Sequence, residues 1–354
     1  MPKFWNDRIN TLTPYVPGEQ PRDQGLLKLN TNECPYGPSP AALQAIEATI
    51  GNNLMRYPDP HATKLCASIA EFYSLGAEQV FVGNGSDEVL AHIFGGLFSN
   101  TGAVLSSEIT YGFYPIYCRY FGLQYQAIPV QDDLSISVDS LLDASSRCGG
   151  IILANPNAAT GMALSLGEIA RLLTANPDTT VVIDEAYADF GTDSAIALLS
   201  DHANLVVVQT CSKSRGLAGL RVGMALGSQE MIEGLNRMKD SFNSYPLDQL
   251  AQAGAAAAFT DKAYFDQTRN KIIATRGRFA SEVESAGYEC VPSVANFLLI
   301  RHPKLSGDEF YSQLRERGIL VRHLTDQRLV PYVRISIGTD EQMDQVVTVL
   351  HELV

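Results

Sequence analysis

Short apolar runs alternate with helical patterns through the middle of the 354-residue chain. The apolar runs are bounded by turn residues and lie at 103–105, 150–153, 180–183 and 205–208. Runs of this kind are typical of buried strands. Between them, one helical pattern begins at Ser86 and another begins with the capping box of Ser165 and Glu168. The alternation predicts an α/β fold with a mostly parallel central sheet wrapped by helices, and ligand sites in the loops at the carboxyl ends of its strands.

The two ends of the chain differ from this middle part. The first 38 residues are rich in Pro, Gly and Asn, and Ser39 then precedes a predicted helix as its N-cap. After about residue 245, a long helical region leads into predicted strands at 296–300, near 319–323 and near 332–337, and a last helix. We therefore expect three parts, an N-terminal arm at 1–38, a large α/β domain at 39–245 and a smaller α+β domain at 246–354.

Acidic residues outnumber basic ones, with 39 Asp and Glu against 26 Lys and Arg, so the formal net charge is −13. A chain with this balance has no general attraction to nucleic acid or anionic lipid. The N-terminus lacks the apolar stretch of a signal peptide, and no apolar run approaches the roughly 20 residues that cross a bilayer. The cysteines and histidines do not show metal-ligand spacing. We expect a cytoplasmic protein with no nucleic-acid partner, no membrane partner and no metal site.

A basic, hydroxyl-rich loop follows the apolar run at 205–208. A lysine at a strand end, here Lys213, can be desolvated, which lowers its pKa and makes its amine a nucleophile and a Schiff-base former. The hydroxyls of Thr210 and Ser212 and the guanidinium of Arg221 suit a phosphate anchor. Taken alone, the loop is also compatible with a solvated basic turn.

A carboxylate follows the apolar run at 180–183. Burying Asp184 directly after a strand costs free energy unless the carboxylate has a partner, and a cationic ring nitrogen would supply one. Tyr187, three residues later, could donate a hydrogen bond at the same strand end. An Asp that caps a loop or pairs with an arginine is the open alternative.

A third, glycine-rich loop at 83–88 opens the helix that begins at Ser86. Free N–H groups at such a helix start bind phosphate well, although an ordinary capped helix has the same pattern. A dinucleotide-binding fingerprint would need glycine at position 88, where the chain has Glu88. Together, the three loops offer a Schiff-base lysine, an acid for a pyridinium nitrogen and two phosphate-binding segments, which is the set that binds pyridoxal 5'-phosphate.

Motifs along nearly the whole chain resemble those of the fold-type I aminotransferases, and most closely those of the histidinol-phosphate aminotransferases. The string from Ser212 and Lys213 to Leu217-Ala218-Gly219-Leu220-Arg221 is highly specific for this branch. The other matching segments lie at 12–15, 29–33, 56–58, 83–88, 110–112, 155–157, 184–187 and 333–339. The resemblance implies a large domain that binds pyridoxal 5'-phosphate and a smaller α+β domain.

The resemblance also implies roles at the cofactor. Lys213 would bind pyridoxal 5'-phosphate covalently and, once freed, would move the substrate's proton, while Asp184 would keep the ring nitrogen protonated. Tyr187 and Asn157 would bond the ring oxygen, and Tyr111 would stack on the ring. The phosphate would be held by Gly85, Ser86, Asp87, Thr210, Ser212 and Arg221.

Further matching residues imply a dimer and a substrate site. Tyr57 would reach the phosphate of the neighbouring subunit's cofactor, which implies a homodimer with active sites at the interface. The arm at 1–38 would contribute to the small domain and to the dimer contacts. Arg334 would receive the anionic end of the substrate, with Arg322 and Tyr15 beside it.

One segment departs from the family pattern. The family usually has Asn-Pro-Asn, then Asn or Ala, then Pro-Thr-Gly, whereas here Asn157 is followed by Ala158-Ala159-Thr160-Gly161. We expect the missing proline to loosen this turn. Because position 158 is Ala, the contact with the ring oxygen is assigned to Asn157.

The reaction implied by the resemblance is a two-stage transamination between L-histidinol phosphate and 2-oxoglutarate, which gives imidazole-acetol phosphate and L-glutamate in histidine biosynthesis. Both substrates carry an anion that Arg334 could hold, so one site would accept phosphate and carboxylate. Three alternatives stay open. They are an aromatic-amino-acid aminotransferase, a phospho-amino-acid decarboxylase on the same scaffold, and a non-catalytic protein that binds pyridoxal 5'-phosphate.

Overall fold

The structure, a computed structural model, describes residues 3–21 and 25–354. Its strands are β1 (Leu27–Lys28), β2 (Val80–Asn84), β3 (Val104–Ser107), β4 (Tyr125–Ile128), β5 (Gly150–Ala154), β6 (Val181–Asp184), β7 (Leu205–Thr210), β8 (Val222–Gly227), β9 (Glu289–Val291), β10 (Phe297–Arg301), β11 (Ile319–Leu320), β12 (Arg322–His323) and β13 (Tyr332–Ser336). Its α-helices are α1 (Asp7–Thr11), α2 (Pro40–Thr49), α3 (Thr63–Tyr73), α4 (Gly85–Gly96), α5 (Tyr114–Phe121), α6 (Val138–Ala144), α7 (Leu166–Ala175), α8 (Gln229–Asp240), α9 (Gln249–Thr260), α10 (Lys262–Ser285), α11 (Gly307–Glu316) and α12 (Asp340–Leu353).

Seven strands form one large sheet in the order β2-β8-β7-β6-β5-β3-β4. Strand β8 runs antiparallel to both of its neighbours, and the other adjacent pairs are parallel. The four runs predicted as buried strands form β3, β5, β6 and β7, and every residue of these strands is buried. The predicted α/β class with a mostly parallel central sheet is therefore confirmed.

Three strands of the large sheet have no counterpart among the predicted runs. In β8, two glycines interrupt the apolar pattern, and in the edge strand β4 the residues Gln126 and Ala127 are exposed. Strand β2 ends in Gly83 and Asn84, which the sequence pattern assigned to a helix start. Such strands lack the uninterrupted apolar run by which a buried strand is predicted.

Helix α4 begins directly after β2, at Gly85, one residue before its predicted start. Gly85 has a φ of 78°, a left-handed conformation that favours glycine. The other predicted helix starts are confirmed. Ser39 caps α2, and Ser165 and Glu168 form a reciprocal capping box at α7.

A second sheet has four antiparallel strands in the order β12-β13-β10-β9. The prediction of one strand near 319–323 is wrong, because Val321 separates β11 from β12. Strand β11 pairs in parallel with β1 of the N-terminal arm, whereas β12 pairs with β13. The arm supplies a partner strand that the local pattern does not reveal, and the two short strands therefore belong to different sheets.

Apolar cores cover both faces of the large sheet and one face of the small sheet. Adjacent residues of β6 point to opposite faces, so Ile183 lies in one core and Val182 in another. Phe297 lies in the core of the small sheet. Helix α9 follows residue 245 and packs into the same core as Ile183 through Phe259. The division of the chain at 1–38, 39–245 and 246–354 stays a prediction.

None of the described helices combines the length and the apolar character that crossing a membrane requires.

Candidate active site

Two adjoining cavities open at the carboxyl ends of β6 and β7. The inner cavity has a volume of about 130 Å³ and the outer cavity about 430 Å³. Both are lined by Tyr111, Ala158, Tyr187 and Lys213. The inner cavity is otherwise lined by Ser86, Asp87, Ala154, Asp184, Ala186, Thr210, Ser212 and Arg221. The lysine therefore stands where the two cavities meet.

Lys213 lies three residues beyond the end of β7 and is half-buried. Its Nζ donates a hydrogen bond to the carbonyl oxygen of Thr31 at 3.0 Å. The same atom lies 5.6 Å from the centre of the Tyr187 ring. A backbone carbonyl of the N-terminal segment thus orients the amine at the junction of the cavities.

Asp184 is the last residue of β6 and is only 5% exposed. Its Oδ2 accepts a hydrogen bond from the Tyr114 hydroxyl at 2.8 Å, and its Oδ1 accepts one from the backbone N–H of Ala186 at 3.3 Å. Burial raises the pKa of this carboxyl to about 6, because the ionised form loses its hydration. Neither hydrogen bond supplies a positive charge, so the buried carboxylate still favours a cationic neighbour.

The start of α4 faces a cluster of hydroxyls and an arginine. The Thr210 hydroxyl donates to Oγ of Ser212 at 3.0 Å, and Nη1 of Arg221 donates to the same oxygen at 3.4 Å. Nη2 of Arg221 lies 3.3 Å from the carboxylate of Asp87. The two hydroxyls, the guanidinium and the first N–H groups of the helix form a set of donors that suits a phosphate.

Two glycines allow this close arrangement. A Cβ at Gly85 would lie 2.3 Å from Nη2 of Arg221. A Cβ at Gly223 of β8 would lie 2.3 Å from the backbone nitrogen of Ser86. Any larger residue at either position would displace the arginine or the helix start.

The two tyrosines that line both cavities are held by hydrogen bonds. The Tyr111 hydroxyl donates to Asp87 at 2.8 Å, and the Tyr187 hydroxyl accepts from Nδ2 of Asn32 at 3.0 Å. Asn32 is buried, and its backbone N–H donates to Oγ of Ser336 at 2.8 Å. Sequence reasoning did not single out Asn32, although it lies in the matching segment 29–33, because nothing local indicates that it meets a tyrosine 155 residues away.

Asn157 does not line either cavity. Its Nδ2 donates to the carbonyl of Ile109 at 2.7 Å, and its Oδ1 accepts from the N–H groups of Ala159 and Thr160 at 2.9 and 3.1 Å. These bonds close a buried turn, contrary to the loosening expected from the missing proline. Ala158 lines both cavities at this point.

Arg322 on β12 and Arg334 on β13 lie directly opposite each other and line the outer cavity. Nη1 of Arg334 donates to the carbonyl of Ala158 at 2.6 Å, and its guanidinium lies 4.9 Å from the centre of the Phe297 ring. Its Nε is buried and has no hydrogen-bond partner in the described part of the chain. Burial lowers the pKa of Arg334, and the charge of Arg322 adds to this effect. Like charges placed opposite one another are destabilising, and an anion in the outer cavity would relieve this repulsion.

The remaining tyrosines named from the sequence lie in different places. Tyr15 lines the outer cavity and packs against Phe113, with ring centres 4.6 Å apart. Tyr57 lies outside both cavities and is 82% exposed. Its ring stacks on Tyr245 with the centres 4.7 Å apart.

Comparison with known proteins agrees with the family resemblance of the motifs. The family described as "Aminotransferase class I and II" matches residues 24–350. Histidinol-phosphate aminotransferase 1 of Bordetella parapertussis is 51% identical over 353 residues, with 100% of this chain and 99% of the relative covered. Histidinol-phosphate aminotransferase 2 of Thiobacillus denitrificans is 52% identical over 352 residues, with 99% and 98% covered.

A solved structure matches the fold. The histidinol-phosphate aminotransferase of Sinorhizobium meliloti, in complex with pyridoxal-5'-phosphate, superposes with a TM-score of 0.89 at 26% identity and covers 99% of this chain and 97% of its own. The resemblance inferred from the motifs is therefore confirmed at the level of sequence and of fold. The chain belongs to the class I and II aminotransferase family and, within it, to the histidinol-phosphate aminotransferases.

Proposed function

We propose that this chain is a pyridoxal 5'-phosphate-dependent transaminase acting on L-histidinol phosphate and 2-oxoglutarate, with imidazole-acetol phosphate and L-glutamate as products, in histidine biosynthesis. The observation that carries the proposal is the position of Lys213 between a cavity with a set of phosphate donors and a cavity with two opposed arginines. Relatives named for this activity at 51% and 52% identity support it.

The inner cavity fits pyridoxal 5'-phosphate in its polar groups. Asp184 is a buried carboxylate without a positive partner in its hydrogen bonds, as a pyridinium nitrogen would require. The start of α4 and Arg221 offer donors to a phosphate, and Gly85 leaves the space that the arginine needs. Lys213 presents an amine to the same cavity.

When bound, the cofactor supplies an electron sink that stabilises negative charge at the substrate's Cα. Lys213 would hold the cofactor covalently in the resting enzyme and, once released, its Nζ would move the proton from the substrate's Cα to C4′ of the cofactor. Asp184 would hold a proton at the ring nitrogen. The positive charge of this ring nitrogen, next to Asp184, would lower the pKa of the carboxyl from its raised value and keep the carboxylate ionised.

Tyrosines would orient the ring. The Tyr187 hydroxyl accepts from Asn32, so its own proton is available for donation to the ring oxygen. Tyr111, which lines both cavities, would stack on the ring face. Contact between Asn157 and the ring oxygen stays a prediction, and it requires Nδ2 of Asn157 to exchange its bond with the Ile109 carbonyl.

The arginine pair would bind the anion that the two substrates share. Arg322 and Arg334 face one cavity from adjacent strands, and Tyr15 lines the same space. A phosphate or a carboxylate there would satisfy the buried Nε of Arg334 and reduce the repulsion between the two guanidinium groups. One site would thus serve both halves of the reaction.

A homodimer in the cytoplasm is part of the proposal. Tyr57 lines neither cavity of its own chain and is exposed. Met55 and Phe242, close in sequence to the stacked pair of Tyr57 and Tyr245, are exposed apolar residues. A second copy would bury this surface and would bring Tyr57 to the phosphate of the partner's cofactor.

Steady-state kinetics test the substrate. We expect kcat/KM for L-histidinol phosphate to exceed that for phenylalanine by about a hundredfold or more, because a phosphate dianion neutralises both arginines whereas a carboxylate carries one charge. A ratio near one would favour an aromatic-amino-acid aminotransferase. Release of carbon dioxide without need for an oxo acid would identify a decarboxylase, and absence of turnover with all amines would leave a non-catalytic protein.

Replacement of the lysine tests the chemistry. Lys213→Ala is expected to bind pyridoxal 5'-phosphate without the absorbance of the covalent bond and to lose turnover by several orders of magnitude, since both the bond and the proton acceptor are gone. Lys64→Ala, which removes an exposed lysine of α3, is the matched control and should retain wild-type turnover. Retained activity in Lys213→Ala would contradict the assignment.

The raised pKa of Asp184 predicts a pH-dependent effect on stability in the cofactor-free protein. With a pKa of about 6 in the folded state and 3.8 as its ordinary value, this carboxyl holds a proton that the unfolded chain has released. Its contribution to stability is therefore complete below about pH 4 and is lost as the pH rises through 6. Asp184→Asn lacks this dependence, so its free energy of unfolding relative to the wild type should rise by about 2 kcal/mol between pH 4 and pH 8, measured by urea unfolding.

Glu185, whose pKa burial raises to about 7, is present in both proteins and cancels in this difference. A stability difference between Asp184→Asn and the wild type that stays constant with pH would contradict the buried, unpaired state of Asp184.

A further inference from the structure

The loop at 324–331 joins the two strands that carry the arginine pair. It leaves β12 after His323 and enters β13 at Tyr332, so it links the backbone of Arg322 to that of Arg334. Leu324, Thr325, Asp326 and Leu329 of this loop line the outer cavity. The position of the loop therefore affects both arginines at once.

Arg328, near the tip of this loop, makes hydrogen bonds to the large sheet. Its Nη1 donates to Oε1 of Glu108 and to the carbonyl of Val130, each at 2.9 Å, and its Nη2 donates to the carbonyl of Gln131 at 2.6 Å. Glu108 directly follows β3, and Val130 and Gln131 follow β4. One guanidinium thus attaches the small-sheet hairpin to the ends of two strands of the large sheet.

The hydrogen bonds from Arg328 to backbone carbonyls contribute more to this attachment than its ion pair does. The ion pair with Glu108 is partly exposed, with 33% of the Arg328 side chain and 30% of the Glu108 side chain accessible, and such pairs contribute little alone. Two carbonyl acceptors add directional hydrogen bonds from a charged, planar donor to this ion pair. Beside them, the buried Leu329 belongs to an apolar cluster with Ile109 and Val130 of the large-sheet side.

We propose that Arg328 is a positioning residue that sets the distance between the arginine pair and Lys213. Lys213 follows β7 of the large sheet, whereas Arg322 and Arg334 belong to the small sheet, so the amine and the anion site lie on different sheets. The bonds of Arg328 span the two sheets next to the cavity in which both ends of the substrate must fit. The inference rests on the proposed function, because it assumes that the substrate's anion binds at the arginine pair.

Arg328→Met tests this with two substrates that differ in one group. For L-histidinol phosphate, kcat/KM is expected to fall about tenfold or more, mainly through a higher KM, because a displaced anion site loses its alignment with the amine. For L-histidinol, which lacks the phosphate, kcat/KM measured by single-turnover absorbance should change less than about twofold, since no contact with the pair is lost. Arg328→Lys, which keeps the charge without the planar fork, should show the same selectivity with a smaller loss.

Arg301→Met is the matched control. Arg301 pairs with Glu289 at 3.4 Å inside the small sheet and makes no bond to the large sheet among the described residues. Arg301→Met should leave kcat/KM for both substrates unchanged.

Equal losses of kcat/KM for both substrates in Arg328→Met and Arg328→Lys would indicate general disruption and overturn the proposal. Unchanged kcat/KM for both substrates in these variants would overturn it as well. If the wild-type enzyme does not use L-histidinol phosphate, the proposed function is overturned instead. The role of Arg328 is then tested with glutamate, and the proposal requires a higher KM for glutamate in Arg328→Met than in the wild type.

Discussion

The buried carboxylate of Asp184 is the constraint on which the rest of the site depends. Strand β6 is buried along its whole length, so the carboxylate at its end lies in the protein interior. Among the described residues, its hydrogen-bond donors are a hydroxyl and a backbone N–H. This arrangement is costly without a cation and favourable with one. In the proposed function, a pyridinium ring held by Asp184 would define where the phosphate donors at α4 and Arg221 must lie and where Lys213 must reach. The cavity thus contains a carboxylate that has no cationic hydrogen-bond partner among residues 3–21 and 25–354.

The outer cavity shows the opposite imbalance of charge. Two guanidinium groups face each other across β12 and β13, and the buried Nε of Arg334 has no partner in the described part of the chain. An acidic protein with a net charge of −13 thus keeps a local excess of positive charge at one cavity. This excess lies on a different sheet from Lys213, and Arg328 supplies three of the hydrogen bonds that link the two sheets. The net charge gives no general attraction to nucleic acid, whereas the local positive charge would hold the substrate's anion in the proposed function.

The place of residues that follow an uninterrupted apolar strand could be predicted from the sequence. Asp184 comes directly after such a run, Lys213 lies three residues beyond the strand that another run forms, and the parallel sheet brings the two strand ends together. Asn32 and Arg328 were not predictable, because each acts on a residue far away in the chain, Tyr187 and Glu108 respectively. The same reason applies to the division of 319–323, since the partner of β11 is the dipeptide β1. In the turn after Asn157, the sequence showed that the family's proline is missing. It did not show that hydrogen bonds of the Asn157 side chain close the turn without that proline.

A spectral titration of the bound cofactor tests most directly whether Lys213 stands between a cofactor and an anion-binding substrate site. Glutamate, L-histidinol phosphate and phenylalanine are added in turn to purified protein with pyridoxal 5'-phosphate, and the absorbance of the covalent bond with Lys213 is followed. Glutamate and L-histidinol phosphate are expected to convert the cofactor to its amine form, L-histidinol phosphate at far lower concentration than phenylalanine, and 2-oxoglutarate should reverse the change. A spectrum that L-histidinol phosphate leaves unchanged, at concentrations where phenylalanine converts the cofactor, would contradict the proposed site.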